Sequence, residues 1–143
     1  GGVFISYAHE DLSIAASIVG KLKSKGIKVW FDAQKLGGGD EYDQRIIKAI
    51  NNCKFFVPIL SSQVKKDLLN NTNSRYYMNV EWALANQLKN NIGNNDFHIV
   101  PIAVSGYDPT CDYHQKTPFC KLHVINLMTT PLYKFISNIK ETI

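Results

Sequence analysis

Five short runs rich in β-branched and aromatic residues punctuate the chain, at positions 3–7, 27–31, 55–60, 98–104 and 123–127. Three of them are nearly continuous in apolar residues, as strands buried on both faces of a sheet should be. Amphipathic stretches alternate with these runs. Asp11 is placed to cap a helix whose apolar residues Leu12, Ala15, Ala16, Val19 and Leu22 follow helical spacing, and Gly26 ends it. Asp40 is placed to cap a second, with Ile46, Ile47 and Ile50 pointing inward. A third is predicted over 74–90, with Val80, Ala83, Leu84 and Leu88 as its apolar positions, and a last one over 132–143, with Phe135, Ile136 and Ile139 on one face. The segments 70–73 and 90–96 are Asn-rich and read as loops, and 107–119, with Pro109 and Pro118, leaves room for a short helix only.

Strands alternating with helices predict an α/β domain with a parallel sheet. Right-handed crossovers then favour a flavodoxin-like three-layer sandwich, a five-stranded parallel sheet with helices on both faces. Ligands of such sheets bind outside the carboxyl ends of the strands, here 7–10, 32–39 and 61 onward.

Composition narrows the reading. At 143 residues the chain (1–143) is read as one domain, large enough for a core of its own. Gly1 stands where an initiator Met would, so the expectation is a fragment of a longer, multidomain protein. No apolar run approaches the roughly 20 residues that span a bilayer. Three cysteines, an odd number, argue against a disulfide framework and for a reducing, cytoplasmic setting. The net charge of +4 is scattered, so neither nucleic acid nor a membrane is expected as a partner.

Several sharper motifs are weak on inspection. The run Gly37, Gly38, Gly39 precedes a helix, but Asp40 and Glu41 follow at once and would repel phosphate. The glycines read instead as hinges of a loop that meets a neighbouring domain. Cys111 and His114, then Cys120 and His123, have zinc-like spacing, yet the gap between the pairs is short and no metal site is expected. Cys53 adjoins the third strand and reads as an inert small hydrophobe. A receiver-type site would need a phosphoacceptor Asp where Leu60 and Ser61 stand.

Three motifs in order resemble the Toll/interleukin-1 receptor (TIR) domain. The first is Phe4-Ile5-Ser6-Tyr7 with Glu10 and Asp11; the second is Val29-Trp30-Phe31-Asp32, then Leu36 and Gly37 to Asp40, ending in Ile46 to Ile50. The third is Val57-Pro58-Ile59-Leu60-Ser61, followed by Glu81-Trp82-Ala83-Leu84-Ala85. The resemblance spans essentially the whole chain and is strongest over 3–85. It implies one of two functions. TIR domains of the NAD-cleaving kind, bacterial ones among them, require a glutamate in the third helix, and Glu81 matches it. Scaffold TIR domains bind other TIR domains, often lack that acid, and are the alternative reading.

The enzymatic resemblance implies Glu81 as the catalytic residue of an NAD glycohydrolase, giving nicotinamide and ADP-ribose or a cyclic form, in immune or antiphage defence. NAD is then a substrate, and no cofactor is implied. Substrate-binding positions carried over from the family are Ser6, Tyr7, Asp32, Leu36 and Tyr77, where Tyr77 stands in place of a Trp common among enzymatic relatives. Gly37, Gly38, Gly39 and Asp40 are assigned to loop assembly contacts. The implied partners are other TIR domains, in a homo-oligomer or filament, and a fused sensor domain outside this chain. One carboxylate is chemically enough. Nicotinamide departs from a pyridinium as a neutral molecule, so the general acid that glycosidases need is dispensable. What remains is to hold the bond and to oppose charge developing on the ribose. In an α-helix Tyr77 and Ala85 would flank Glu81 one turn away on either side, while Trp82 lies about 100° around and is assigned to packing.

Overall fold

The structure, a computed structural model, describes residues 1–31, 40–70, 75–91 and 96–142. Its centre is β3 (Phe55–Leu60), every residue of which is buried. β1 (Val3–Ser6) pairs with it in parallel, Val3 opposite Phe55 and Ser6 opposite Pro58. β2 (Val29–Trp30) pairs outside β1. On the other side of β3 the run 98–104 forms two short pieces, β4 (His98–Ile99) and β5 (Ile102–Ala103), both paired with β3. Pro101 lies between them and has no N–H for the ladder, which accounts for the break in what the sequence presents as one strand. β6 (Ile125–Asn126) pairs with β5. All pairings are parallel. With β4 and β5 counted as one position, the sheet order is that of the flavodoxin-like α/β fold.

Helices cover both faces, and the alternation along β1 decides what each face receives. Val3, Ile5 and Tyr7 enter one core with Ala15, Ile18, Val19 and Leu22 of α1 (Leu12–Ser24) and Phe135, Ile136 and Ile139 of α5 (Leu132–Thr142). Phe4 and Ala8 enter the other, with Ile46 and Ile50 of α2 (Asp40–Asn52) and Ala85 of α4 (Ala83–Lys89). Phe4 stacks between Trp30 and Phe56, with ring centroids 4.8 and 5.5 Å away. The stripes differ in detail from the sequence pattern. Ile18 replaces Ala16 on the inner face of α1, and Ile47 of α2 is 40% exposed because it sits about 100° around from Ile46.

One helix has no counterpart in the sequence reading. α3 (Ser62–Leu69) follows β3 directly, capped by Ser61, whose Oγ accepts from the Val64 N–H at 3.2 Å. Val64 and Leu68 bury its inner face. The third predicted helix is present but is not uniform, since Tyr77–Trp82 form a π-helical turn ahead of α4. A 3₁₀ segment, Asp112–Lys116, occupies the stretch with room for a short helix only.

Two glycines do work no other residue would do as well. Gly26 ends α1 at φ +78°, with its N–H donating to Lys23 and the Ile27 N–H to Leu22, a Schellman closure. Gly106 stands at φ +91° in the turn closed by the Tyr107 N–H and the Val104 carbonyl, where a type II turn needs a positive φ. A Cβ there would lie 2.8 Å from the Ser62 Cβ. Gly106→Ala therefore combines backbone strain with a clash against α3. It should lower unfolding stability by about 1–3 kcal/mol in urea titrations, and Gly20→Ala, with open space around it in α1, should not.

A buried carboxyl at the end of the first strand

Ser6 is the last residue of β1, and its parity turns it toward the face that holds α2 and α4. There its Oγ donates to the Glu81 Oε1 at 2.8 Å, across 75 positions of sequence. Glu81 is 0% exposed. Carboxyls are almost never fully buried unless partnered, so Glu81 is no ordinary solvated helix residue. The π-helical turn sets where neighbouring side chains go. Its bonds run i to i+5, and Trp82 rather than Glu81 follows Tyr77 around the turn. Accordingly Tyr77 and Trp82 pack edge to face at 5.3 Å, and Trp82 continues onto Phe119 at 5.0 Å.

A polar network surrounds the turn. The Tyr77 hydroxyl donates to Asp67 Oδ2 at 2.6 Å, and Gln63 Nε2 donates to Asp67 Oδ1 at 3.0 Å. Burial and the adjacent Asp67 push the Tyr77 hydroxyl far above the ordinary phenol range. Arg75 forks onto both oxygens of Glu10, and its Nε lies 3.4 Å from Asp67 Oδ2. The Ser61 hydroxyl donates to Asp11 Oδ2. Asp11, placed by its sequence position to cap α1, makes no side-chain capping bond, and this contact with Ser61 takes its place. Its carboxyl is raised by desolvation, which outweighs the Ser61 hydrogen bond. Tyr76 ties the same turn to α2 by donating to Asp43 Oδ1 at 2.7 Å.

The sequence-derived positions divide three ways. Ser6 and Glu81 are in contact. Tyr7 and Tyr77 are both buried but lie in the two different cores, on opposite faces of the sheet, because Tyr7 is one residue out of phase with Ser6. Tyr7 packs against Phe31 at 5.5 Å instead. Asp32, Leu36, Gly37, Gly38 and Gly39 lie outside the described residues, as does the side chain of Asp40. Sequence reasoning missed Arg75 and Asp67. The signal for Asp67 was the 3–4 residue spacing of Val64 and Leu68 behind a Ser cap, which predicts a helix with Asp67 beside its inner face.

Elsewhere, Cys53 donates its thiol to the Ile50 carbonyl, and burial pushes that thiol up to about 12. His114 is buried, with Nδ1 2.7 Å from the Tyr107 hydroxyl. A cavity of about 350 Å³ opens at the amino ends of β1 and β2, lined by Lys28, Trp30, Arg45 and Lys48 among others. Among the described residues its charged lining is basic, Lys28, Arg45 and Lys48.

A family model described as the TIR domain matches residues 3–131. The chain belongs to the TIR-domain family. Solved structures with the same fold include a TIR–STING receptor from C. gigas bound to 2',3'-cGAMP, 19% identical with a TM-score of 0.66. That match covers 98% of this chain, which spans 38% of the receptor's length. The TIR domains of the activated Roq1 resistosome, which recognises the pathogen effector XopQ, are 17% identical with a TM-score of 0.68, covering 97% of this chain and 96% of theirs. The TIR domain of the Toll-related receptor TRR-2 from Hydra magnipapillata is 17% identical with a TM-score of 0.58, covering 98% and 96%. No curated protein sequence matches the chain significantly. At these identities the likeness carries the fold. Among the described residues no helix is long and apolar enough to cross a membrane.

Three variants test the network. Tyr77→Phe takes one donor from Asp67 while Gln63 and Arg75 keep theirs, so it should cost about 1 kcal/mol in chemical denaturation. The Glu10 carboxyl is lowered to about 2, chiefly by the Arg75 hydrogen bonds, which outweigh its desolvation. A folded value below the unfolded one means that the pair adds stability above the ordinary carboxylate range and loses it as pH falls toward about 2. The melting-temperature gap between wild type and Glu10→Gln should therefore be widest near neutral pH and close on acidification. Asp11, shifted upward, works with the opposite sign, and its replacement by Asn should matter least at low pH.

Proposed function

We propose that this TIR domain is an NAD glycohydrolase, with Glu81 as the carboxylate that stabilises the ribosyl cation as nicotinamide leaves. The observation that carries the reading is a glutamate with no exposure, hydrogen-bonded to the last residue of β1, at the strand ends where sheets of this topology bind ligands. Ser6 orients the carboxyl by donating to Oε1. In a site of low dielectric the attraction between Glu81 and a developing oxocarbenium is far stronger than in water. Because nicotinamide leaves as a neutral molecule, no proton has to be delivered, and water or a second part of the nucleotide captures the ribosyl carbon to give ADP-ribose or a cyclic product.

Burial also shapes regulation. A carboxyl that solvent does not reach is not reached by a substrate either, so catalysis requires the covering segments to move first. We assign that step to assembly with other TIR domains, in a homo-oligomer or filament gathered by a fused sensor, as part of an immune or antiphage response.

The test is chromatographic detection of nicotinamide released from NAD at high protein concentration or with the chain clustered on a multivalent support. Wild type should release it, and Glu81→Gln should be slower by about 10²–10³-fold. Ser6→Ala should retain measurable release but at a lower kcat. Equal release by wild type and Glu81→Gln would remove Glu81 from the chemistry. Silence of the clustered wild type would favour the scaffold reading.

A further inference from the structure

Glu81 is carried on a π-helical turn, a rare i→i+5 departure from the α-helix that follows it. Side-chain contacts fix both ends of this turn. Its carboxyl end is held by Trp82, wedged between Tyr77 and Phe119. Its amino end is held from Arg75, two residues ahead of the turn. The Arg75 guanidinium forks onto Glu10, in the loop that leaves β1, with Nη1 3.0 Å from Oε2 and Nη2 on Oε1. Its Nε approaches Asp67 of α3 at 3.4 Å, and its carbon Cζ lies 5.4 Å from the Tyr77 ring centroid, over the first residue of the turn. Asp67 in turn accepts from the Tyr77 hydroxyl. One cation therefore joins the β1 loop, α3 and the π turn. The guanidinium geometry matters, because only a planar fork meets Glu10 with two parallel bonds while a third nitrogen faces Asp67.

We propose that Arg75 is a positioning residue for the Glu81 carboxyl, acting through the π-helical turn by clamping it to Glu10 and Asp67. The inference rests on the reading of Glu81 as the catalytic carboxylate. Arg75 acts on Glu10, Asp67 and the Tyr77 ring, so its removal disturbs the alignment of the turn while the Glu81 side chain itself is unchanged. A misaligned carboxyl lowers turnover more than substrate affinity.

The experiment pairs steady-state kinetics of nicotinamide release with hydrogen–deuterium exchange of the peptide covering 77–82, on the clustered full chain. Arg75→Gln should lower kcat about tenfold with KM within about twofold, and exchange should quicken in 77–82 while peptides from β1, β3 and α5 keep wild-type rates. Arg75→Lys keeps the charge without the fork and should recover part of both readouts. Glu10→Gln should move both readouts in the same direction but by less, since Arg75 keeps Asp67 and the Tyr77 ring, and the double variant should be no worse than Arg75→Gln. Unchanged exchange in 77–82, or loss of protection spread evenly over the whole chain, would overturn the clamp. If the clustered wild type releases no nicotinamide while Arg75→Gln still loosens 77–82 alone, the clamp stands and the catalytic reading of Glu81 fails.

Discussion

Removing a carboxyl from water is the most demanding thing this fold does, and much of its carboxyl edge is organised by it. The penalty for an uncompensated buried ion is several kcal/mol even after relaxation. A hydrogen bond to a charged group returns about 1.5–3 kcal/mol. The Ser6 hydroxyl therefore offsets a substantial part of the penalty, and it does so only because β1 ends with Ser6 in the phase that faces α4. Shift the strand by one residue and Tyr7 faces Glu81 while Ser6 turns into the apolar core with α1 and α5. The register that Val3, Phe4 and Ile5 hold against Phe55, Phe56 and Val57 is thus a condition for the site as well as for the core.

How much of this was legible follows from which forces act locally. β1 and β3 were readable because continuous apolar runs have few alternatives to a strand buried on both faces. α5 was readable for the same kind of reason, with Phe135, Ile136 and Ile139 all buried as their spacing predicts. α3 was not read, although Ser61 and the pair Val64 and Leu68 carried its signal, because eight residues give barely two turns of periodicity. Ser6 and Glu81 were each singled out from motifs, but their contact joins residues 75 apart and only the folded sheet brings it about. The least legible feature is the π turn. Helical spacing drawn on an α template puts Tyr77 on the face of Glu81, whereas the wider turn delivers Tyr77 onto Trp82 and Asp67.

That difference changes what Tyr77 can be asked to do. With its ring buried at 3% exposure and its hydroxyl committed to Asp67, it is part of the support of the turn. An aromatic wall for a nicotinamide ring needs an open face, and Tyr77 gives its faces and edges to Trp82 and the Arg75 guanidinium. Tyr7 meets the same objection from the other side of the sheet. On the proposed reading of Glu81, contact with a nicotinamide ring then falls to groups other than these two tyrosines.

A fold can support such an edge only if its stability is secured elsewhere. Fully burying one large apolar side chain is worth about 1.5–3 kcal/mol. Phe56, Val57, Ile59 and Leu60 of β3, all at 0% exposure, supply apolar burial of this kind directly beside the buried carboxyls Glu81, Asp67 and Asp11. Val57 and Ile59 serve the face toward α1 and α5, Phe56 and Leu60 the face toward α2 and α4, and the buried polar groups Ser6, Ser61, Asp11, Asp67 and Glu81 gather at the carboxyl ends of β1 and β3 and on the helices beside them. Movement that uncovers Glu81 would disturb the polar edge and leave the apolar face intact. Local rearrangement of the polar edge is then separable from global unfolding.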